Sequence, residues 1–418
     1  MGLTATEKIL SRAAGKPVRA GDLIYPDPDL ITVHDWYVVN FDAALKDLGV
    51  ARVMHPDKMI ISTDHEPLAV SAAAAERQRK VREVVARHGI KNFFDVGRGG
   101  LGHMFPIEMG LVRPGMFVFA YDIHVTNFGA VGCLGIPVVI EISEVLACGS
   151  VWVLTPETIR VNLTGALSRG VSVRDVAQKL IHDLDPDLVD YTTVEYGGPG
   201  LASIDVDRRM TLCNTPIEIG AKSALVEVDA TTRAWLAERN IDASGAVASD
   251  PDAAFKAVVD CDLGLSEPQV AAPPTPDAVV GVTSVAGRKV HHAFIGSCAS
   301  SSLEDLRDAA SILKGRRVSS GVRMYVTPGT VEIARRATSE GLMDTFYEAG
   351  AVVTAAGCGP CAAGRIGPTA PGEVSINTGT RNDFGRLGAR DAEIYLASPY
   401  TVAASAVAGK IVDPRDFL

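Results

Sequence analysis

KVHHAFIGSCASSSLEDLRDAASILKGRRVSSGVRMYVTPGT, residues 289–330, is the stretch whose reading decides the fold. KVHHAFIG (289–296) is short, apolar and β-branched or aromatic enough to read as a strand. A helix is predicted over 302–314, because Leu303, Leu306, Ala310 and Leu313 recur on one helical face. Ser301 and Glu304 have the spacing of a capping box at its start, and Gly315 is placed to stop it. RMYVT (323–327) is then the next strand, which makes the whole stretch a strand–helix–strand crossover.

The same alternation continues outward. A helix is predicted from Val331 to about Ala349, closed by Gly350, with AVVTAA (351–356), EVSINT (373–378) and EIYLAS (393–398) as strands and a small-residue helix over 400–409. Strands alternating with helices predict an α/β fold, a doubly wound and mostly parallel sheet. Cys298, Cys358 and Arg381 each fall just past a predicted strand, at the edge where open α/β sheets bind ligands. Upstream, the clustered prolines of AAPPTPDAVV (271–280) read as an extended linker. Residues 67–88 read as one long helix closed by Gly89, and GMFVFAYDIH (115–124) as a strand ending at Asp122 and His124. The expected division is an α/β domain over 1–154, a second over 155–272 and a third over 273–418.

Composition narrows the function. A net charge of −10 disfavours non-specific nucleic-acid binding, which depends on Lys and Arg neutralising phosphates. The most apolar long stretch, 128–153, is interrupted by Pro137, Glu141 and Glu144, so no membrane span is expected. MGLTATEKILSRAAGK at the N-terminus lacks the apolar core of a signal peptide, and a cytoplasmic location is expected. An odd count of seven cysteines at long spacings argues against a disulfide framework. Cys358-Gly-Pro-Cys361, with Cys298 upstream, is compatible with a redox dithiol, part of a zinc site or part of an iron–sulfur site. No second C-x-x-C or C-x-x-H supplies a fourth zinc ligand, so three thiolates suit a cluster with one iron left open; zinc and buried or redox thiols remain the alternatives.

FIGSCASSSLEDLRDAASILKGRRV (294–318), AGCGPCAAG (356–364) and TRNDFGR (380–386) resemble the third domain of the aconitase family. STDHEP, FFDVGRGGLGHMFPIEMGLVRPG, YDIH and VEYGGPG follow that family's order upstream. MGLTATEKIL, RMTLCNTPIEIGAK (209–222) and ASPYTVAASAVAGKI resemble the large subunits of its 3-isopropylmalate dehydratase branch. The resemblance implies three aconitase-type α/β/α domains, without the swivelling fourth. It implies a [4Fe–4S] cluster on Cys298, Cys358 and Cys361, and a hydro-lyase that dehydrates or isomerises a malate-type hydroxy acid. Arg381 and Arg386 match arginines that grip carboxylate. Asp64-His65 matches an acid–histidine pair that donates a proton, and His103, Asp122, His124 and Glu195 match the other polar active-site positions. His34-Asp35 falls on a substrate-side loop. The implied partner is a small subunit supplying the swivelling domain and a catalytic serine, with a small hydroxy-carboxylate as substrate and neither nucleic acid nor membrane as partner.

Five departures from the family pattern lie near that site, two of them being the more apolar PVVIEISE (137–144) and Asp383-Phe384, which does not follow the usual Phe-then-small order. Asp-Ser-His becomes Asp122-Ile123-His124, Cys-Thr-Asn becomes Cys298-Ala299-Ser300, and Asn-Arg-Asn becomes Thr380-Arg381-Asn382. Ile123, Ser300 and Thr380 are therefore expected to reshape the substrate pocket, because losing a buried hydrogen-bonding group changes selectivity sharply. Homocitrate-, citramalate-, dimethylmalate- or maleate-type acids are the rival substrates. An iron- or RNA-sensing relative is the non-enzymatic rival.

Overall fold

In the computed structural model, which describes residues 2–418, three large sheets and a two-stranded antiparallel one (Leu23–Ile24 with Val153–Leu154) carry the chain. The first is wholly parallel and runs Asn92–Phe94, Met59–Ser62, Leu30–His34, Phe117–Ala120, Leu134–Pro137 across its width. A second parallel sheet orders Ser223–Val226, Thr193–Gly197, Thr158–Thr164 and Ala257–Asp262. The third has five parallel strands, in the order Glu393–Ala397, Val374–Asn377, His292–Ile295, Arg323–Val326, Val352–Val353. Gln269–Ala271 adds antiparallel to its Glu393–Ala397 edge and pairs in turn with Val279–Gly281. The expected α/β class with mostly parallel sheets is what the chain adopts.

The proline stretch is not a free linker. Its two ends lie in edge strands of the third sheet, and Asn382 Nδ2 donates to the carbonyls of Ala272 (2.9 Å) and Thr275 (3.2 Å). The third sheet is thus extended by residues before 273, and the loop that carries Arg381 is tied to them.

Most elements of the deciding stretch fall where the periodicity places them, with corrections at their ends. The helix after Cys298 spans Leu303–Leu313; its capping box is Ser302 with Asp305, one residue beyond the Ser301–Glu304 pair expected. The single helix expected over 331–349 is two, Val331–Ser339 and Leu342–Ala349, divided at Gly341, whose φ of 74° suits glycine. The long helix of the first sheet begins at Ala72 rather than 67, capped by Ser71, and ends at Gly89. The strand expected over 115–124 stops at Ala120, and a 3-10 segment takes over at Ile123–Val131. That segment packs Val125, Phe128, Ala130 and Val131 into the same apolar core as Ile295, Leu306 and Val326. Burial of this shared core, at roughly 25 cal/mol per Å2 of apolar surface, holds the first and third sheets in a fixed relation. Among the described residues no helix is long and apolar enough to cross a membrane.

Candidate active site

The carboxyl ends of strands from the first and third sheets meet at one cavity of about 270 Å3, small for a ligand pocket and suited to a compact acid. His34, Trp36 and His65 line it, with His103 and the run Tyr121 to His124. Facing them are Ser297, Cys298, Cys358, Cys361, Arg381 and Arg386. The position of Cys298 is fixed by an unusual backbone: Ser297 holds φ at +73°, with its hydroxyl donating to the Thr378 carbonyl at 2.8 Å. Cys358 is fixed from the other sheet, its N–H donating to the Asp64 carbonyl at 2.9 Å. Gly357 makes that approach feasible, because a Cβ there would lie 2.6 Å from the same oxygen, at a φ of 148°.

Three carboxylate–imidazole pairs occupy the first-sheet side. Asp64 is fully buried, with one carboxylate oxygen 2.7 Å from His65 Nδ1 and the other accepting the Gly102 N–H at 2.7 Å. Burial works against a charged His65, yet Asp64, Asp35 and Asp122 outweigh it and raise its pKa to about 9. His65 is therefore an imidazolium at neutral pH, able to give up a proton. Asp122 Oδ1 lies 3.4 Å from His103 Nε2 and 3.2 Å from His124 Nδ1, and it accepts the His124 backbone N–H at 2.8 Å. Its other oxygen is 3.8 Å from His34 and 3.9 Å from His65. Burial would push the Asp122 carboxyl up, but His103 and His124 hold it well below the usual range. The third pair is His124 Nε2 with Glu218, at 2.9 Å. Burial lowers the His124 pKa, and Cys298, Asp122 and Glu218 together reverse this and set it well above the ordinary value.

Glu195 is not in the cavity. Its carboxylate takes Arg160 Nη1 at 2.7 Å and the Ser249 hydroxyl at 2.7 Å, which makes it a buried structural anchor of the second sheet. Glu218, which the sequence reading did not single out, is the carboxylate at the site instead: besides His124 it meets Arg381 Nε at 2.9 Å. Ile123 lines the cavity as expected. Ser300 does not; its hydroxyl donates to the Ala299 carbonyl at 2.6 Å. Thr380 lies behind the cysteines, Oγ1 4.0 Å from Cys361 Sγ. His34 counts for more than its sequence position conveyed, stacking on His65 with ring centroids 4.0 Å apart. Asp35 accepts the backbone N–H groups of His65 (3.2 Å) and Glu66 (3.0 Å), fixing the turn that presents the imidazole. Asn214 and Asn127 were also missed; Asn214 Nδ2 is 3.3 Å from Cys298 Sγ, and Asn127 Nδ2 donates to the Cys298 carbonyl at 2.9 Å. Asn127 had the signal of a polar side chain in a mostly apolar run, whereas Asn214 sits in a helix with Asp207, Arg208 and Arg209 and had none.

The residues fit an iron–sulfur cluster. Cys298, Cys358 and Cys361 are buried, free of disulfides and open to one cavity. Burial raises the Cys361 thiol, but Arg386, with Nη2 3.7 Å from the sulfur, draws it below its ordinary pKa. Burial, Asp64 and the other two thiols push Cys358 well up, a crowding of negative groups that a cationic centre relieves. The histidines nearest Cys298 in sequence supply no fourth ligand: His292 is bound to Ser375 and Gly367, and His291 Nδ1 accepts the Val374 N–H.

Fold and site together are those of a hydro-lyase, with buried carboxylate–imidazole pairs and two arginines around three cysteines. The sequence matches the aconitase family (aconitate hydratase) over residues 7–289 and 282–409. The chain belongs to that family. It is 40% identical over 419 residues to 3-isopropylmalate dehydratase large subunit 1 of Methanopyrus kandleri, covering 100% of each chain. It is 39% identical over 424 residues to the homoaconitase large subunit of Thermus thermophilus, covering 100% of this chain and 98% of the relative. Among solved structures, the holo-form of Thermococcus kodakaraensis aconitase X matches with a TM-score of 0.50 at 11% identity, covering 93% of each chain, a likeness of fold alone.

Proposed function

We propose that this chain is the large subunit of a [4Fe–4S] hydro-lyase that dehydrates or isomerises a malate-type hydroxy acid, most like 3-isopropylmalate dehydratase. The observation that carries this is the convergence of Cys298, Cys358 and Cys361 on the cavity that holds the Asp64–His65 pair and Arg381 and Arg386. Cys298, Cys358 and Cys361 would hold the cluster, which would supply the Lewis acidity that makes a hydroxyl a better leaving group. His65, charged and held by Asp64, gives its Nε2–H proton to the departing hydroxide. Asp122 steadies His103 and His124 around it. Arg381, about half exposed, offers its remaining N–H groups to one substrate carboxylate, and Arg386 orients a second beside Cys361.

The base that removes the carbon-bound proton is assigned to a serine on a small subunit that carries the swivelling domain. Two relatives named as large subunits support a partner of that kind. Ile123 on the cavity wall favours an alkyl-bearing acid over one with a further carboxylate, since an apolar side chain cannot satisfy a buried charge. Homocitrate-, citramalate-, dimethylmalate- and maleate-type acids are the competing substrates, and the homoaconitase relative keeps the first of these in view.

The test is anaerobic purification with a co-expressed small subunit, iron and sulfide analysis, and a panel of 2- and 3-alkyl malates followed by enoate absorbance. A reconstituted complex without acid-labile sulfide would sink the proposal. Ile123→Ser is expected to move preference from alkyl malates toward substrates with a polar arm by about 10-fold or more. An unchanged ranking would remove Ile123 from the specificity argument.

A further inference from the structure

Arg174 and Arg209 are buried cations that the acid–base scheme leaves unused; Arg209 is fully paired with Asp229 and backbone carbonyls, and Arg174 is not. Arg174 is the second residue of the helix Val173–Asp183, and only 3% of it is exposed. One of its side-chain nitrogens, Nη2, donates to the Gly379 carbonyl at 2.6 Å; Nε and Nη1 have no hydrogen-bond partner. A permanently charged guanidinium with two unmatched nitrogens is costly to bury unless negative charge lies nearby. Glu218, Cys298, Asp175 and Cys361 are the anionic groups that act on it. Two of these are already occupied. The Asp175 carboxylate accepts the N–H groups of Ser172 (2.8 Å) and Gln269 (2.9 Å), and Glu218 is engaged by His124 and Arg381. Glu218 is still the strongest of these attractions, and Cys298 and Cys361, the ligands of the cluster proposed above, are the other two.

The peptide that Arg174 holds is itself part of the cysteine cradle. A Cβ on Gly379 would lie 3.8 Å from Cys361 Sγ, and the next two residues are Thr380, beside that sulfur, and Arg381. Arg174 does not line the cavity and acts on the cysteines by charge and through the loop it grips.

We propose that Arg174 is a positioning residue for the iron–sulfur centre, neutralising part of the thiolate charge and thereby setting the cluster's reduction potential and its survival in air. This rests on the cluster reading above. Charge and hydrogen bonding around the sulfurs are the protein's means of tuning such a centre. Removing a cation beside an anionic cluster makes reduction harder and oxidation easier.

The experiment compares wild type, Arg174→Gln and Arg174→Lys, each purified anaerobically with the small subunit and reconstituted. Iron and sulfide are measured first, then the reduction midpoint by EPR-monitored titration and the bleaching of visible absorbance in air. R174Q is expected to shift the midpoint to a more negative value and bleach several-fold faster, whereas R174K keeps both near wild type. The rise in melting temperature on cluster loading is expected to be smaller in R174Q, because only the guanidinium gains a counter-charge on loading. A wild type without sulfide would sink the cluster reading and this proposal with it. Loaded wild type and R174Q with equal midpoints and bleaching would sink the role of Arg174 alone, as would equal shifts in R174K and R174Q. Should R174Q not fold, a midpoint displaced in R174K overturns the charge argument, and an unmoved one sustains it.

Discussion

Asp64 has no exposed surface, and both its carboxylate oxygens are committed, one to His65 and one to the Gly102 N–H. Asp64→Asn keeps the shape and removes the charge that holds the imidazolium. The expected result is a loss of about 10²- to 10⁴-fold in kcat of the reconstituted complex, the usual worth of a positioned general acid. Iron and sulfide content should stay unchanged; a variant with near-normal turnover would show that His65 does not need this partner. The acid–base residues were legible because each sits in a short motif at a strand end. Glu195 was misread because its motif begins inside the strand Thr193–Gly197 of the second sheet, where its carboxylate neutralises Arg160. Glu218 and Arg174 could not be read, since each meets the loop that carries Arg381 from a helical region whose facing no local pattern specifies.

At the scale of elements, the deciding crossover was well read because strand and helix periods differ so plainly there. Its errors were one-residue shifts at caps and the break at Gly341, where the apolar pattern runs on through the glycine. What no period encodes is how the Cys358 loop meets another sheet. Gly357 is the contact point. Gly357→Ala adds a methyl group that would sit against the Asp64 carbonyl, so either the strained φ or the Cys358 N–H bond must give way. Expected outcomes are a lower iron content per chain after reconstitution and a stability loss of about 1–3 kcal/mol by denaturant titration. A variant that loads fully with an unchanged midpoint of unfolding would show that the loop tolerates the shift.

Across the whole molecule, several carboxyls are enclosed where helices of different sheets pack together. Burial raises Glu108 to about 7 and Asp308 to about 7, and Asp207 to about 6. In the unfolded chain such groups titrate near ~4, so the folded form keeps its protons to higher pH. Their contribution is present in full below that value and is lost as pH rises toward about 7. Glu108 accepts from the Thr330 hydroxyl at 3.1 Å, a bond the amide of Glu108→Gln can still receive. Glu108→Gln is expected to be near neutral at pH 5 and to stabilise the apo chain by about 1–2 kcal/mol at pH 8. Thermal melts at the two pH values check the sign, and a stabilisation that does not grow with pH would contradict it.

The cavity also has a light source of its own. Trp36 lies on its wall, 4.7 Å from the His65 ring, with the Arg365 guanidinium 4.6 Å above it. The chain has only three tryptophans; Trp152 is about half exposed, and Trp235 is stacked under Arg239, and neither lines the cavity. A visible-absorbing group seated on the cysteines would drain the excited state of Trp36 far more than the other two. Loading should therefore dim roughly one indole's share of the emission, a loss that Trp36→Phe would abolish. Read in a stopped-flow fluorimeter, that dimming would time the arrival of the metal centre without a substrate or a second subunit.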